Sequence, residues 1–400
     1  MNKNLDRLQP YPFEKLADLL ANSRPDETKR PIKWSIGEPA HPAPEFVKRV
    51  LIENLDGLSK YPVTIGSIEL REAISTWLTT RFALPAGAID PDKNVLPVSG
   101  TREALFSFAQ SVVNGADEAV VVMPNPFYQI YEGAAYMADC DPYFVNLNAD
   151  NQFQPDFKSI PPSVWMRCQL VYVCSPSNPT GACLSMEKWH ELLTIAGKND
   201  FVIASDECYS EIYFNEGEPP IGLLEAANEF GLSDFKNCVV FHSLSKRSNL
   251  PGLRSGFVAG DARILDKYRL YRTYHGCALP PPTQKASAAA WQDEEHVREN
   301  RAIYRRKFDA VLEILQPCMD IYRPQAGFYL WPSVPIDDAS FTRRLYEEEN
   351  LLVLPGSYIS RTVDGVNPGV KRLRMALVAP YEECVEGAER LAAFVKRLAV

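Results

Sequence analysis

Between residues 95 and 260 the chain keeps returning to one pattern: a short run of unbroken apolarity, then a stretch with helix-like spacing. The runs are Val95–Val98, Ala119–Met123, Leu170–Cys174, Phe201–Ser205, Val239–His242 and Gly256–Ala259. A strand with one wet face alternates apolar and polar residues, whereas a strand covered on both faces need not. Continuous runs separated by helical stretches therefore predict an α/β fold, with a mainly parallel central sheet flanked by helices. Ligands of such sheets collect beyond the carboxyl ends of the strands. The residues just after each run thus carry the functional question.

The flanks read differently. Residues 43–56 and 67–83 have helical periodicity, with Leu70, Ala73, Ile74 and Trp77 on one face. The first 30 residues are polar and broken by Pro10, Pro12 and Pro25, with a short amphipathic stretch at Phe13–Leu20. So little apolar surface makes no core, which places this segment over another part of the molecule or on a partner subunit. Beyond about 285 come charged helices (roughly 284–316, 338–349 and 381–398) with strand-like pieces at Phe328–Trp331 and Leu351–Leu354. The expected division is an N-terminal arm and part of the small domain at 1–45, a large domain at 46–284, and a smaller α+β domain at 285–400.

Composition narrows the classes of partner. Lys and Arg number 42 against 51 Asp and Glu, a formal net charge of −9 with no basic block, which argues against nucleic acid and anionic membranes. Hydrophobic residues at 46% and charged residues at 23% are ordinary globular values. No apolar run approaches the roughly 20 residues of a membrane span. The start, Met1-Asn2-Lys3-Asn4-Leu5, lacks the apolar segment of a signal peptide. The nine cysteines form no C-x-x-C pair and have no His-rich partner region, so reduced cytoplasmic thiols are expected and no metal site.

Four strand ends carry polar groups. After Val98 comes Ser99-Gly100-Thr101-Arg102, a small-residue turn opening a helix, suited to a phosphate or simply to capping. After Cys174 comes Ser175-Pro176-Ser177-Asn178-Pro179-Thr180-Gly181, where Asn178 offers an amide in what is otherwise an ordinary turn. After Ser205 come Asp206 and Tyr209: a carboxylate at a buried strand end needs a cation, such as a pyridinium, or caps the next helix. Tyr209 could reach the phenolic oxygen of the same ring. After His242 comes Ser243-Leu244-Ser245-Lys246, followed by Gly252-Leu253-Arg254-Ser255-Gly256. Burial and neighbouring cations would turn such a lysine into a Schiff-base amine, with Ser243, Ser245 and Arg254 as phosphate donors. Each feature has a bland reading alone. In order on one sheet, they compose the requirements of pyridoxal phosphate.

The set resembles the fold-type I pyridoxal-phosphate transferases, specifically aminotransferases of class I/II, from Ile36-Gly37-Glu38-Pro39 to Leu373-Arg374-Met375. The resemblance implies Lys246 as the cofactor lysine and proton shuttle, Asp206 on the pyridine nitrogen, and Tyr209 and Asn178 on the ring oxygen. It implies Gly100, Thr101, Arg102, Ser243 and Arg254 around the phosphate, and Tyr128 stacked on the ring. Tyr61 matches a tyrosine that reaches the phosphate of a neighbouring subunit, which implies a homodimer with shared sites. Arg374 matches the arginine that grips the substrate α-carboxylate, with Gly37 and Asn178 nearby. Three segments, Leu8–Glu14, Pro124–Gly133 and His242–Asn249, resemble bacterial succinyldiaminopimelate transaminases. That resemblance implies amino transfer from N-succinyl-LL-2,6-diaminopimelate to 2-oxoglutarate, in lysine and diaminopimelate biosynthesis. Transaminases for aspartate, alanine or aromatic amino acids, and lyases on this fold, share the same site residues. Reading several carboxylates needs cations beyond Arg374; the sequence offers Arg24, Arg30, Arg247, Arg272 and His275. A nicotinamide-dependent dehydrogenase is disfavoured, since no G-x-G-x-x-G follows an early strand.

Overall fold

The apolar runs become the strands of one sheet in the computed structural model, which describes residues 1–115 and 118–398. In chain order the strands are β1 (Ile32–Lys33), β2 (Val95–Val98), β3 (Val120–Asn125), β4 (Asp141–Asn146), β5 (Cys168–Cys174) and β6 (Val202–Asp206). They continue with β7 (Cys238–Ser243), β8 (Gly256–Gly260), β9 (Tyr329–Leu330), β10 (Leu351–Leu352), β11 (Leu354–Pro355) and β12 (Leu373–Ala376). The main sheet has seven strands in the order β2-β8-β7-β6-β5-β3-β4. Its neighbours run parallel except at β8, which is antiparallel to both β7 and β2.

Alternate residues of each buried strand feed opposite apolar layers. Val120, Val122, Val171, Val173 and Ile203 pack with Leu70, Ile74 and Trp77 on one face. Val121, Met123, Tyr172, Ala204 and Phe241 pack with Phe108, Tyr131 and Tyr268 on the other. β4 escaped the sequence pattern because it is an edge strand whose residues are mostly half-exposed, so it never needed continuous apolarity.

A third apolar cluster joins both ends of the chain: Ile32 and Trp34 pack with Phe308, Leu345, Leu351, Leu373 and Leu391. β1 pairs parallel with β10, Ile32 opposite Leu351, and β11-β12-β9 form a small antiparallel sheet. The expected strand Leu351–Leu354 is thus two pieces, with the chain switching partners at Val353. The single helix expected over 284–316 is also two, Pro281–Gln292 and Glu295–Leu315. The first buries Ala286, Ala290 and Trp291 in the large sheet's layer, and the second buries Phe308, Val311 and Leu315 in the third cluster. The packing unit built on the large sheet therefore runs past residue 284. Among the described residues no helix is long and apolar enough to cross a membrane.

Candidate active site

The strand register brings the polar segments to one edge. Cys174 lies opposite Asp206, Asp206 opposite Phe241, and Ser243 opposite Gly256. Because β8 runs the other way, the residues before it, Arg254 and Ser255, meet the residues after β2 and β7. Pairing of Val98 with Gly256 closes that edge. The result is a cleft of about 460 Å³.

Most residues singled out from the sequence face it: Gly37, Thr101, Arg102, Tyr128, Asn178 and Asp206 on one part of the wall, and Tyr209, Ser243, Ser245, Lys246, Arg254 and Arg374 on the rest. Gly100 does not line the cleft but supports it. Its φ of +87° favours glycine, and a Cβ there would collide with the Arg254 guanidinium. Helix Thr101–Val112 starts at this glycine with no side chain capping its first amides, which leaves them for an anion. Arg254 itself has φ +53°; its Nη1 donates to Pro251 O at 2.9 Å.

Lys246 stands on the short helix Leu244–Arg247, capped by Ser243 Oγ accepting from Ser245 N at 3.1 Å. Its ammonium donates to Gly37 O and lies 5.5 Å from the Phe328 ring centroid. Burial lowers its pKa to about 8, helped by Arg374 and Arg254 and opposed by Cys208 and Glu38. Asp206 is also buried, which pushes its pKa up. Hydrogen bonds from Tyr131 Oη (2.6 Å) and Cys208 N (3.2 Å) act in the opposite sense. At the far end, Arg374 Nη1 donates to Asn178 Oδ1 at 3.2 Å and Nη2 to Ser35 O at 2.8 Å, while Tyr329 lies under the guanidinium. Tyr209 and Tyr329 share a hydroxyl contact of 3.2 Å. Arg102 donates from Nε to Tyr128 Oη and from Nη2 to Tyr11 Oη, both at 2.8 Å.

The structure adds residues that pattern reading did not select as site residues. Tyr131, buried under Asp206, sits in a motif noted only for Tyr128. Tyr11, Pro12 and Phe13 of the arm line the cleft, as do Cys208 and Tyr329. Nothing in local spacing marks an arm residue as a wall of a distant cleft. Tyr61 lies apart from the cleft and is fully exposed. The extra cations proposed to read carboxylates are elsewhere too. Arg247 is buried among Ala290 O, Asp293 O and Glu294, and Arg272 is buried against Glu103 at 2.8 Å. Arg30 pairs with Glu386, and neither Arg24 nor His275 lines the cleft. Outside the cleft, Glu103, His275 and Cys277 come within metal-ligand distance of one another, but the Arg272 guanidinium already occupies Glu103.

The residues present fit pyridoxal phosphate. Asp206 is a buried carboxylate facing the cleft with no ion pair among the described residues, so a pyridinium suits it. The free amides after Gly100, together with Ser243, Ser245 and Arg254, make an anion cradle, and the half-buried Lys246 amine stands in the same cleft. Arg374 keeps a buried Nε with no partner.

A mainly parallel sheet with lysine, carboxylate, amide and phosphate cradle at one edge defines the fold-type I pyridoxal-phosphate transferases. The Aminotransferase class I and II family model matches residues 29–391, and the chain belongs to that family and uses its cofactor. It is 30% identical to the LL-diaminopimelate aminotransferase of Dehalococcoides mccartyi strain 195, over 98% of each chain. The structure of an aminotransferase from Neisseria meningitidis is similar with a TM-score of 0.95, at 46% identity, covering 98% of this chain and 100% of that one. That of a probable N-succinyldiaminopimelate aminotransferase from Thermus thermophilus is similar at 0.84 and 25% identity, covering 96% and 99%.

Proposed function

We propose that the protein transfers the amino group of N-succinyl-LL-2,6-diaminopimelate to 2-oxoglutarate, giving the 2-amino-6-oxo compound and glutamate, as a step toward diaminopimelate and lysine. The observation that carries amino transfer is the placing of Lys246, Asp206 and Arg374 around one cleft. The diaminopimelate backbone is supported by the names of the Dehalococcoides and Thermus relatives. The succinyl group is supported by the three sequence segments and by Arg102, whose side-chain donors, among the described residues, meet only two neutral phenols and so leave a cationic charge for an anion.

Arg374 binds the substrate α-carboxylate, its orientation fixed by Asn178 and Ser35. Lys246, whose pKa burial lowers to about 8, would hold the cofactor through its amine and, once that amine is free, take the proton from the substrate α-carbon. Bound pyridoxal phosphate supplies the electron sink that makes this proton removable. Asp206 would keep the ring nitrogen of the cofactor protonated, and Tyr209 and Asn178 would donate to its ring oxygen. Gly100, Thr101, Arg102, Ser243, Ser245 and Arg254 would hold the phosphate, and Tyr128 would stack on the ring. Gly37 O receives the Lys246 ammonium when that amine is free.

A homodimer completes this reading. Leu58, Tyr61, Val63 and Ile68 leave apolar surface in one stretch of chain. A partner covering it would take Tyr61 to its own phosphate. Nine unpaired thiols support a cytoplasmic location.

The 30% relative gives a second reading, free LL-diaminopimelate as donor. Steady-state kinetics with each donor and 2-oxoglutarate decide between them. We expect kcat/KM for the succinylated donor to exceed that for the free one by at least about tenfold, a difference of about 1.4 kcal/mol. Equal values, or preference for the free diamine, would reject the succinyl assignment.

A further inference from the structure

Behind the cleft, a buried chain of polar groups ends on the backbone of the cofactor lysine. Lys307, fully buried on helix Glu295–Leu315, places Nζ 2.6 Å from His41 Nε2 and 3.3 Å from both Leu377 O and Val378 O. His41 Nδ1 lies 2.9 Å from Asn300 Oδ1. Asn300 Nδ2 then donates to Lys246 O and Arg247 O, each at 3.4 Å, and Asn249 Nδ2 donates to Asn300 Oδ1 at 3.0 Å.

The donors and acceptors admit one direction. An ammonium can only donate, so His41 Nε2 accepts from Lys307. The ring proton must then sit on Nδ1 and point at Asn300 Oδ1, which leaves the Asn300 amide hydrogens for the two carbonyls. The ring is neutral, as this requires: burial and the adjacent Lys307 lower its pKa to about 4. Burial also lowers that of Lys307 to about 8, with Cys384 and Glu383 opposing. The ring of Tyr304 packs on His41 at 4.7 Å.

His41 also belongs to the segment that meets the other end of the same lysine. Gly37 O accepts from Lys246 Nζ, and Ala40 N donates to Val378 O at 3.3 Å. We propose that Lys307, His41 and Asn300 are a positioning relay for Lys246, holding its main chain through Asn300 and its amine through the Gly37–His41 segment. Lys307 ties both to the carbonyls of Leu377 and Val378, in the turn just after β12 of the small sheet. The relay sets the orientation of the amine relative to the groups that face it: Cys208, Arg374, Glu38 and Arg254. None of the three relay residues lines the cleft. This rests on the reading of Lys246 as the cofactor lysine.

The test is the double variant His41→Phe with Lys307→Met, which keeps a ring against Tyr304 and leaves no buried charge unpaired. The first readout is the pH profile of Lys246 modification by an amine-directed reagent in the cofactor-free chain, located by peptide mass. The second is kcat and KM of the loaded enzyme. The expected results are a shift of the Lys246 profile by roughly half a pKa unit or more, and a fall in kcat of about tenfold with KM within about twofold. A folded variant with the parental Lys246 profile and kcat would overturn the proposal. Should the double variant not fold, Asn300→Ala carries the same expectation, and an unshifted profile there overturns it equally. The labelling needs no cofactor, so Lys246→Ala in the loaded enzyme tests the cofactor reading separately.

Discussion

Burial pushes the two central ionisable side chains toward neutrality, Lys246 downward and Asp206 upward. For the lysine that is an advantage: the free amine, not the ammonium, attacks a carbonyl. Capture of pyridoxal phosphate by the cofactor-free chain should accelerate as pH rises through about 8, and rapid-mixing absorbance across pH checks it. For Asp206, hydrogen-bond donors oppose that upward push, and Tyr131 at 2.6 Å is one of them. Tyr131→Phe should lower kcat roughly tenfold to a hundredfold, as expected for losing a hydrogen bond to a charged group worth about 1.5–3 kcal/mol. Unaltered kcat would show that Cys208 N alone suffices. At this scale the sequence was most legible where a residue sits at, or within a few residues after, the end of its strand, as Asp206 and Lys246 do. Tyr131 was not, because its contact with Asp206 spans strands that only the fold brings together. Arg247 was misleading for the same reason: adjacency to Lys246 does not say which way a side chain points, and this one turns to Ala290 and Glu294.

Among the elements, those buried on both faces were legible and those at edges or seams were not. β5, β6 and β7 announced themselves by continuous apolarity, whereas β4 is half-exposed and the break at Asp293-Glu294 has neither glycine nor proline to mark it. The turn between β2 and helix Thr101–Val112 shows what a local rule can carry. Gly100 is required twice, by its φ of +87° and by Arg254 beside its α-carbon. Gly100→Ala should weaken pyridoxal phosphate binding by at least about tenfold, through displacement of the turn and of Arg254, a cost of about 1.4 kcal/mol or more. Fluorescence titration measures it, and an unchanged dissociation constant would show that the turn does not hold the phosphate.

Across the whole molecule, the net charge of −9 coexists with a cleft walled by Arg102, Lys246, Arg254 and Arg374. Net charge describes the exterior; anion binding depends on where those cations sit. The two ends of the chain share one core through Trp34, which is fully buried against Gly387 and packs with Phe308 and Leu391. Trp34→Ala should cost about 3–5 kcal/mol of stability in denaturant unfolding. A loss below about 1 kcal/mol would mean that the leading segment is not integral to that core. The joining of the ends was only partly legible, since a stretch as short as Ile32–Lys33 carries no period of its own.

The central assignment, amino transfer through Lys246, reduces to a single half-reaction. The purified chain loaded with pyridoxal phosphate is mixed with the amino donor and its cofactor absorbance followed, then 2-oxoglutarate is added. Lys246 as the proton carrier predicts a shift on adding donor, its reversal by 2-oxoglutarate, and neither at a comparable rate in Lys246→Ala. A variant that cycles like the parent, or a parent that shows no shift with any amino donor, would contradict it.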